Sequence, residues 1–304
     1  MTRDIHPSST PPVLFGAGLA PLATLEPGES AVVHTLDCYS NRITSPESRP
    51  SRIPETQINP LTGPIAVRGA QPGDALRVHI ERVEPARDFA VTALVPHVGG
   101  LTVTERTAML HDPLPERVRI LPIEGDQIRF SERIRLPLTP FVGTIGTAPA
   151  VEAIHSLVPD RHGGNLDCPD VGPGHTLILP VQTEDALLSL GDAHATQGDG
   201  ELTGVAAEMP ARVHIRVELE PGNAPGWPRI ESDTELMAIG AARPLEDAAR
   251  IAWRELIDWL ASDFGFDRLE AYQLLGQVGR MRLGNMVDPN YTMVARLEKR
   301  HLPA

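Results

Sequence analysis

The sequence predicts a mainly β protein, a jelly-roll-like β-sandwich with an appended C-terminal α/β portion. Three observations carry this reading. Proline is abundant, with 30 in 304 residues, and residues that lock φ and lack an amide proton suit turns and sheet edges better than helices. Pro-Gly or Gly-Asp turns recur, each followed by a stretch in which apolar and polar residues alternate. Beyond residue 245 the apolar period changes from two to three or four.

Taken in order, residues 1–12 are polar and proline-rich and read as a loose arm. Glu26-Pro27-Gly28 precedes Ala31-Val32-Val33, and Gln71-Pro72-Gly73-Asp74 precedes Leu76-Arg77-Val78-His79-Ile80. Gly172-Pro173-Gly174 stands in the same way before Leu177-Ile178-Leu179-Pro180-Val181, and Glu124-Gly125-Asp126 before Ile128. Proline then glycine fits the central positions of a type II turn. Val213, Ile215, Val217 and Leu219 alternate with His214, Arg216 and Glu218, the mark of a half-buried strand. Ala248, Ala252, Leu256 and Trp259 or Leu260 recur at helical spacing, so 245–261 is an amphipathic helix that Gly265 stops. Asp267, with Glu270 three residues on, resembles a capping box opening a second helix through Leu275. The β-rich part therefore covers 1–222, and an α-containing portion over 223–304 packs on the same core.

The totals narrow the function. With 41% hydrophobic and 22% charged residues, the chain has the composition of a soluble globular protein. A net charge of −13 argues against nucleic acid and anionic membranes, which need a basic face. No apolar run approaches the ~18 residues of a membrane span. Residues 13–25 make a poor signal peptide, since Gly16, Gly18 and Pro21 interrupt them and no basic segment precedes them. Cys38 and Cys168 are the only cysteines, too few for a disulfide framework, so a cytoplasmic location with reduced thiols is expected.

Chemistry concentrates in Gly191-Asp192-Ala193-His194-Ala195-Thr196-Gln197-Gly198-Asp199-Gly200-Glu201. Carboxylates, an imidazole and a carboxamide lie among glycines, a composition foreign to a core strand, so the segment reads as a loop at a sheet rim. Hard oxygen donors beside one imidazole suit a divalent cation. Gly163-Gly164-Asn165-Leu166-Asp167 is similar in kind, and Asp37 ends an apolar strand. Phe141-Val142-Gly143-Thr144-Ile145-Gly146 reads first as a packing device. Glu208 lies seven residues beyond Glu201; along a strand, odd spacing puts the two on opposite faces unless a bulge intervenes. No Gly-x-Ser-x-Gly elbow, His-Glu-x-x-His or P-loop occurs. A thiol nucleophile is disfavoured because neighbouring carboxylates raise its pKa.

In order along nearly the whole chain, these segments resemble the acetamidase/formamidase family. The match includes Asn59-Pro-Leu-Thr-Gly-Pro64, Gly69-Ala-Gln-Pro-Gly-Asp74, 141–146, 163–167, 191–201, Glu208, Glu270-Ala-Tyr272 and Val287-Asp288. Asn59 replaces a frequent histidine, Leu166 a usual methionine and Arg280 a common aspartate, and the two cysteines are not family features. The resemblance implies a β-sandwich, a bound divalent metal and hydrolysis of short primary carboxamides to carboxylate and ammonia. Zinc is the expected ion and calcium the alternative, and a homo-oligomer, dimer or higher, is expected. On this reading Asp37, Asp192 and His194 bind metal. Glu201 is the general base, with Asp199 the second catalytic candidate. Asn165 and Gln197 orient the substrate carboxamide, and Asp167 binds substrate or metal. Two other readings stand beside it: a metal-stabilised binding module without catalysis, and a metal-dependent hydrolase of another small C–N compound. The module reading is weakened by an aromatic content of only 3 Trp and 3 Tyr.

Overall fold

Gly28, Gly73 and Gly174 adopt φ of 90°, 100° and 83°, the left-handed backbone a type II turn requires at its third residue. The strands Ser30–His34, Ala75–Pro85 and His175–Pro180 follow those turns as predicted. These features belong to a computed structural model that describes residues 3–101 and 114–303. Among the described residues, strands form a nine-stranded sheet, a ten-stranded sheet and a two-stranded pairing. The nine-stranded sheet runs Arg3–Ile5, Ser30–His34, Ala211–Glu220, Ala75–Pro85, His175–Pro180, Arg229–Glu231, Glu235–Ala242, Tyr291–Glu298 and Arg280–Asn285. The expected loose arm is thus an edge strand: Arg3–Ile5 pairs in parallel with 31–33, and the apolar Ile5 is buried and anchors it. No helix among the described residues is long and apolar enough to cross a membrane.

Alternation along the nine-stranded sheet supplies two cores. Leu177, Leu179, Met237 and Ile239 join the inter-sheet core with Ile65, Val142, Leu190 and Val213. Ile178, Leu236 and Ala238, pointing the other way, meet a helical layer. That layer is α1 (Leu245–Phe264) and α2 (Arg268–Val278). Ala252, Leu256, Trp259 and Leu260 of α1 pack against the sheet, and a fully buried leucine such as Leu256 contributes about 2–5 kcal/mol relative to alanine. Gly265, with φ 71°, ends α1, and the Asp267 carboxylate caps α2 by accepting from the Leu269 and Glu270 amides.

The ten-stranded sheet carries the site. Its central strand Leu188–His194 lies between Phe141–Gly146 on one side and Leu61–Val67 with Glu208–Met209 on the other. The expectation that 191–201 is a rim loop is therefore corrected, because Gly191, Asp192 and His194 lie in a buried core strand. Such a strand tolerates them because its face alternation slips. Leu188 and Leu190 join the inter-sheet core before Asp192, and Ala193 and Ala195 join it after. The neighbouring strand slips in step, with Val142 and Ile145 in the core and Gly143 between them. Asp192 itself has a φ of 53°, the left-handed region that L-residues seldom occupy.

Candidate active site

Six ionisable side chains converge beside that slip. Asp192 and His194 come from the strand. Asp167 (φ 41°) follows the strand Gly163–Asn165, and Glu201 (φ 46°) sits in the glycine-flanked loop. Glu208 comes from the strand Glu208–Met209, and Asp288 from the turn between Arg280–Asn285 and Tyr291–Glu298. All six are buried, from 0% exposed for Asp167 to 8% for Asp288.

The orientation of His194 is dictated by Gln197. The Gln197 amide nitrogen donates to the Asp167 and Gly284 carbonyls, at 2.8 and 3.1 Å, which leaves its carbonyl oxygen to accept from His194 Nδ1 at 2.9 Å. Nε2 then faces carboxylates only: Asp192 Oδ1 and Glu208 Oε2 at 3.3 Å each, and Asp167 Oδ1 at 3.9 Å. Those four atoms are buried, and none has a hydrogen-bond partner. Buried polar atoms are normally paired, so four orphans converging on one spot fit a site for a small ligand. Their spacing suits a small ion, because ligand bonds of 2.0–2.1 Å at tetrahedral angles place donors about 3.3 Å apart. Backbone makes room for the pair: a Cβ on Gly143 would lie 2.7 Å from Asp167 Oδ1 and 2.9 Å from Asp192 Oδ2.

Burial and mutual repulsion set the proton affinities. Burial pushes the Glu208 carboxyl up to about 8 and Asp167 up to about 6, with the Asp192 charge adding to both. Glu201 and Asp288 are raised well above the carboxylate range, first by burial and then by the Asp167 charge. Asp192 goes the other way. Burial would raise it, but the His194 charge, with a hydrogen bond from Thr144, holds it below its ordinary value. Burial disfavours a charged His194, yet the Glu208 and Asp192 carboxylates hold its pKa well above the usual range. The raised carboxyl pKa values express repulsion among five crowded acids, which a bound cation would relieve by favouring their ionised forms.

The structure brings Asp167, Asp192, His194 and Glu201 together and sends other sequence candidates elsewhere. Asp37 is corrected: its Oδ2 pairs with Arg87 at 2.7 Å, while Oδ1 accepts from the Tyr39 and Asn41 amides. Asp199 is corrected as well, being held at the surface by Arg282 at 2.7 Å. Gln197 orients His194 instead of facing substrate. Asn165 borders the site, but its amide nitrogen donates to Asp167 and Asp288 at 2.7 and 2.8 Å, and its oxygen accepts from Asn59 and Thr144. It positions two carboxylates and has no donor left for a ligand. Glu208 and Asp288 are the residues that sequence reasoning set aside. The chain from 201 to 208 is not a strand, so the alternation argument against Glu208 does not apply. The match at Val287-Asp288 was the only signal for Asp288.

Cys168 is buried in the inter-sheet core. Cys38 approaches the centre, its sulfur grouped within 4.8 Å with oxygens of Asp192 and Glu208. Burial and those carboxylates push its thiol well above the ordinary range, which opposes thiolate chemistry. A cavity of about 490 Å³ opens onto the cluster, with Asn59, Asn165, Asp192, Glu201, Glu208 and Asp288 bordering it.

A mainly β scaffold with a buried imidazole–carboxylate centre at a cavity defines the class of molecule. The sequence matches the profile of the acetamidase/formamidase family over residues 15–157 and 150–228, and the chain belongs to that family. It is 44% identical to an acetamidase from Yersinia enterocolitica, whose crystal structure superposes with a TM-score of 0.96 over 100% of this chain and 94% of that one. An acetamidase from Bacillus halodurans is 32% identical, with a TM-score of 0.90 and 98% of both chains covered. A formamidase from Methylophilus methylotrophus is 28% identical over 252 residues, 65% of this chain and 61% of that protein. The chain spans about three-fifths of the length of the curated relatives it matches. A gamma lactamase from Delftia acidovorans, at 22% identity and a TM-score of 0.65, shares the fold.

Proposed function

We propose that this protein is a metal-dependent amidase that hydrolyses primary carboxamides to carboxylate and ammonia. The observation that carries the proposal is the convergence of four unpartnered buried donors on one spot beside a cavity. His194 Nε2, Asp192 Oδ1 and Glu208 Oε2 would hold a divalent ion, with Asp167 Oδ1 next to them. The mixed imidazole and carboxylate set at 3.3 Å spacing favours zinc over calcium, which takes more oxygens at longer distances.

When bound, such an ion supplies Lewis acidity toward a carbonyl and acidifies water. The chain's own residues supply the proton path. Glu201 borders the cavity, forms no ion pair with His194 although its carboxylate lies within 4.8 Å of the imidazole and of Glu208, and has a carboxyl pKa raised by burial. A carboxylate of that kind accepts a proton from water as its oxygen adds to the amide carbon, then returns it to nitrogen as the C–N bond breaks and ammonia leaves. Asn165 fixes Asp167 and Asp288 beside it, and Gln197 fixes the imidazole.

The test pairs elemental analysis with ammonia release from formamide, acetamide and propionamide. Expected is one or more divalent ions per chain, turnover of at least one of these amides, and loss of both in His194→Ala. Turnover by protein free of divalent ions would remove the metal from the proposal. Stoichiometric metal without ammonia release would remove the amidase activity.

A further inference from the structure

The cavity above the centre is built for more than a one- or two-carbon acyl group. Acetamide needs on the order of 100 Å³, taking about 30 Å³ as the liquid volume of one water-sized group. The cavity holds about 490 Å³. Its lining is mixed in chemistry. The buried carboxyls share the lining with apolar side chains, Ile53, Val95, Val98, Leu157, Val205 and Val287, and with the exposed Ser51 and Glu55. The apolar wall has backing, since Ile53, Val95 and Val205 belong to an apolar cluster with Tyr39, Ile43 and Val91. Asn59, also at the cavity, spends its amide on Thr144 and Asn165 at 3.0 Å each and so offers no donor that would favour a polar acyl chain. A lining that joins buried carboxyls to a run of apolar side chains matches a molecule with an amide head and a hydrocarbon tail.

We infer that the favoured substrates are primary amides with an apolar acyl chain of about four to six carbons, not formamide or acetamide. The inference rests on the amidase reading, with the carboxamide at the buried carboxyls and the acyl chain along the apolar wall. A tail laid on that wall leaves water, whereas acetamide leaves the wall wet. Each buried methylene should raise kcat/KM about fourfold, equivalent to about 0.8 kcal/mol.

The experiment uses metal-replete wild-type protein and two ligand series. The first measures ammonia release from formamide, acetamide, propionamide, butyramide, pentanamide and hexanamide. The second measures by calorimetry the binding of methyl-, ethyl-, propyl- and butylurea, which carry the same head group but resist hydrolysis. Expected is a rise of about fourfold per methylene in kcat/KM from acetamide to pentanamide, matched by tighter binding along the ureas. Ile53→Trp, which narrows the wall, should lower the pentanamide-to-acetamide ratio at least tenfold. A maximum at formamide or acetamide with flat urea affinities would overturn the inference while leaving the amidase standing. Urea affinities that rise while no amide is cleaved would instead support the apolar site and overturn the amidase reading.

Discussion

Gln197 offers a clean separation between holding a ligand and touching substrate. Gln197→Met keeps the length of the side chain but removes three hydrogen bonds, one accepted from His194 Nδ1 and two donated to the Asp167 and Gly284 carbonyls. Both carbonyls belong to buried residues, Asp167 and Gly284, so losing their donor also costs stability, which unfolding measurements report separately. The imidazole loses the contact that fixes its tautomer, and outer partners of this kind are worth 10–100-fold in metal affinity. That range corresponds to about 1.4–2.7 kcal/mol. Competition for zinc against a chromophoric chelator should show the weakening, while KM for amide at saturating metal stays within about twofold. Gln197→Glu, which keeps an acceptor for Nδ1 but gives up both donors, should fall between. Unchanged zinc affinity with a raised KM would refute the assignment and return Gln197 to the substrate.

Four further outcomes follow from particular contacts. Glu201→Gln should lower kcat by about 10²–10⁴ with metal content retained, as expected on losing a general base; equal losses of metal and activity would make Glu201 a ligand. Gly143→Ala forces a Cβ to 2.7 Å from both Asp167 Oδ1 and the Asp192 carbonyl, and should cost about 1–3 kcal/mol in denaturant unfolding along with metal binding; Gly172→Ala, whose Cβ meets nothing closer than 3.4 Å, is the near-neutral control. Asp37→Ala strands the Arg87 guanidinium and should cost about 3–5 kcal/mol of stability, yet the protein that folds should keep its metal. His162, 1% exposed and with both ring nitrogens unpartnered, has its pKa lowered to about 4 by burial. Between pH 6.5 and 4 the unfolded chain therefore binds a proton that the folded one does not, so His162 should cost up to about 3 kcal/mol of stability as pH falls through that window. His162→Leu should flatten the slope by that amount relative to wild type.

Local signals in the sequence reported local structure well. Pro-Gly turns fixed where strands begin because the glycine must take positive φ, and Asp267 marked the start of α2 because its carboxylate satisfies two helix amides. Asp192 and His194 were visible as ligand types at a two-residue spacing. Their setting was not, since a phase slip shared with Gly143 turns both away from the inter-sheet core, and alternation over a few residues cannot reveal it. Asp37 and Asp199 looked like site carboxylates because their neutralising partners, Arg87 and Arg282, are remote in sequence. Glu208 and Asp288 were underweighted for the same reason: each reaches the centre through a turn whose path depends on packing elsewhere.

The division into a site-bearing β part and a C-terminal portion also looks different once the contacts are traced. The strand Arg280–Asn285 clamps the two segments that frame the centre. The Gly200 amide donates to the Leu283 and Gly284 carbonyls, and the Met286 amide donates back to the Gly200 carbonyl. The Asn285 side chain donates to the Asn165 carbonyl, and the Gly284 carbonyl accepts from Gln197. A side chain at Gly284 would collide with the Thr292 hydroxyl and the Leu166 carbonyl, so the strand lies as close as backbone permits. Asp288 then enters from the turn that follows. Strand residues thus hold Asp192 and His194 rigidly, while Asp167, Glu201 and Asp288 take their places only where the C-terminal strand meets both loops. The centre is complete only when the two parts of the chain are folded against each other.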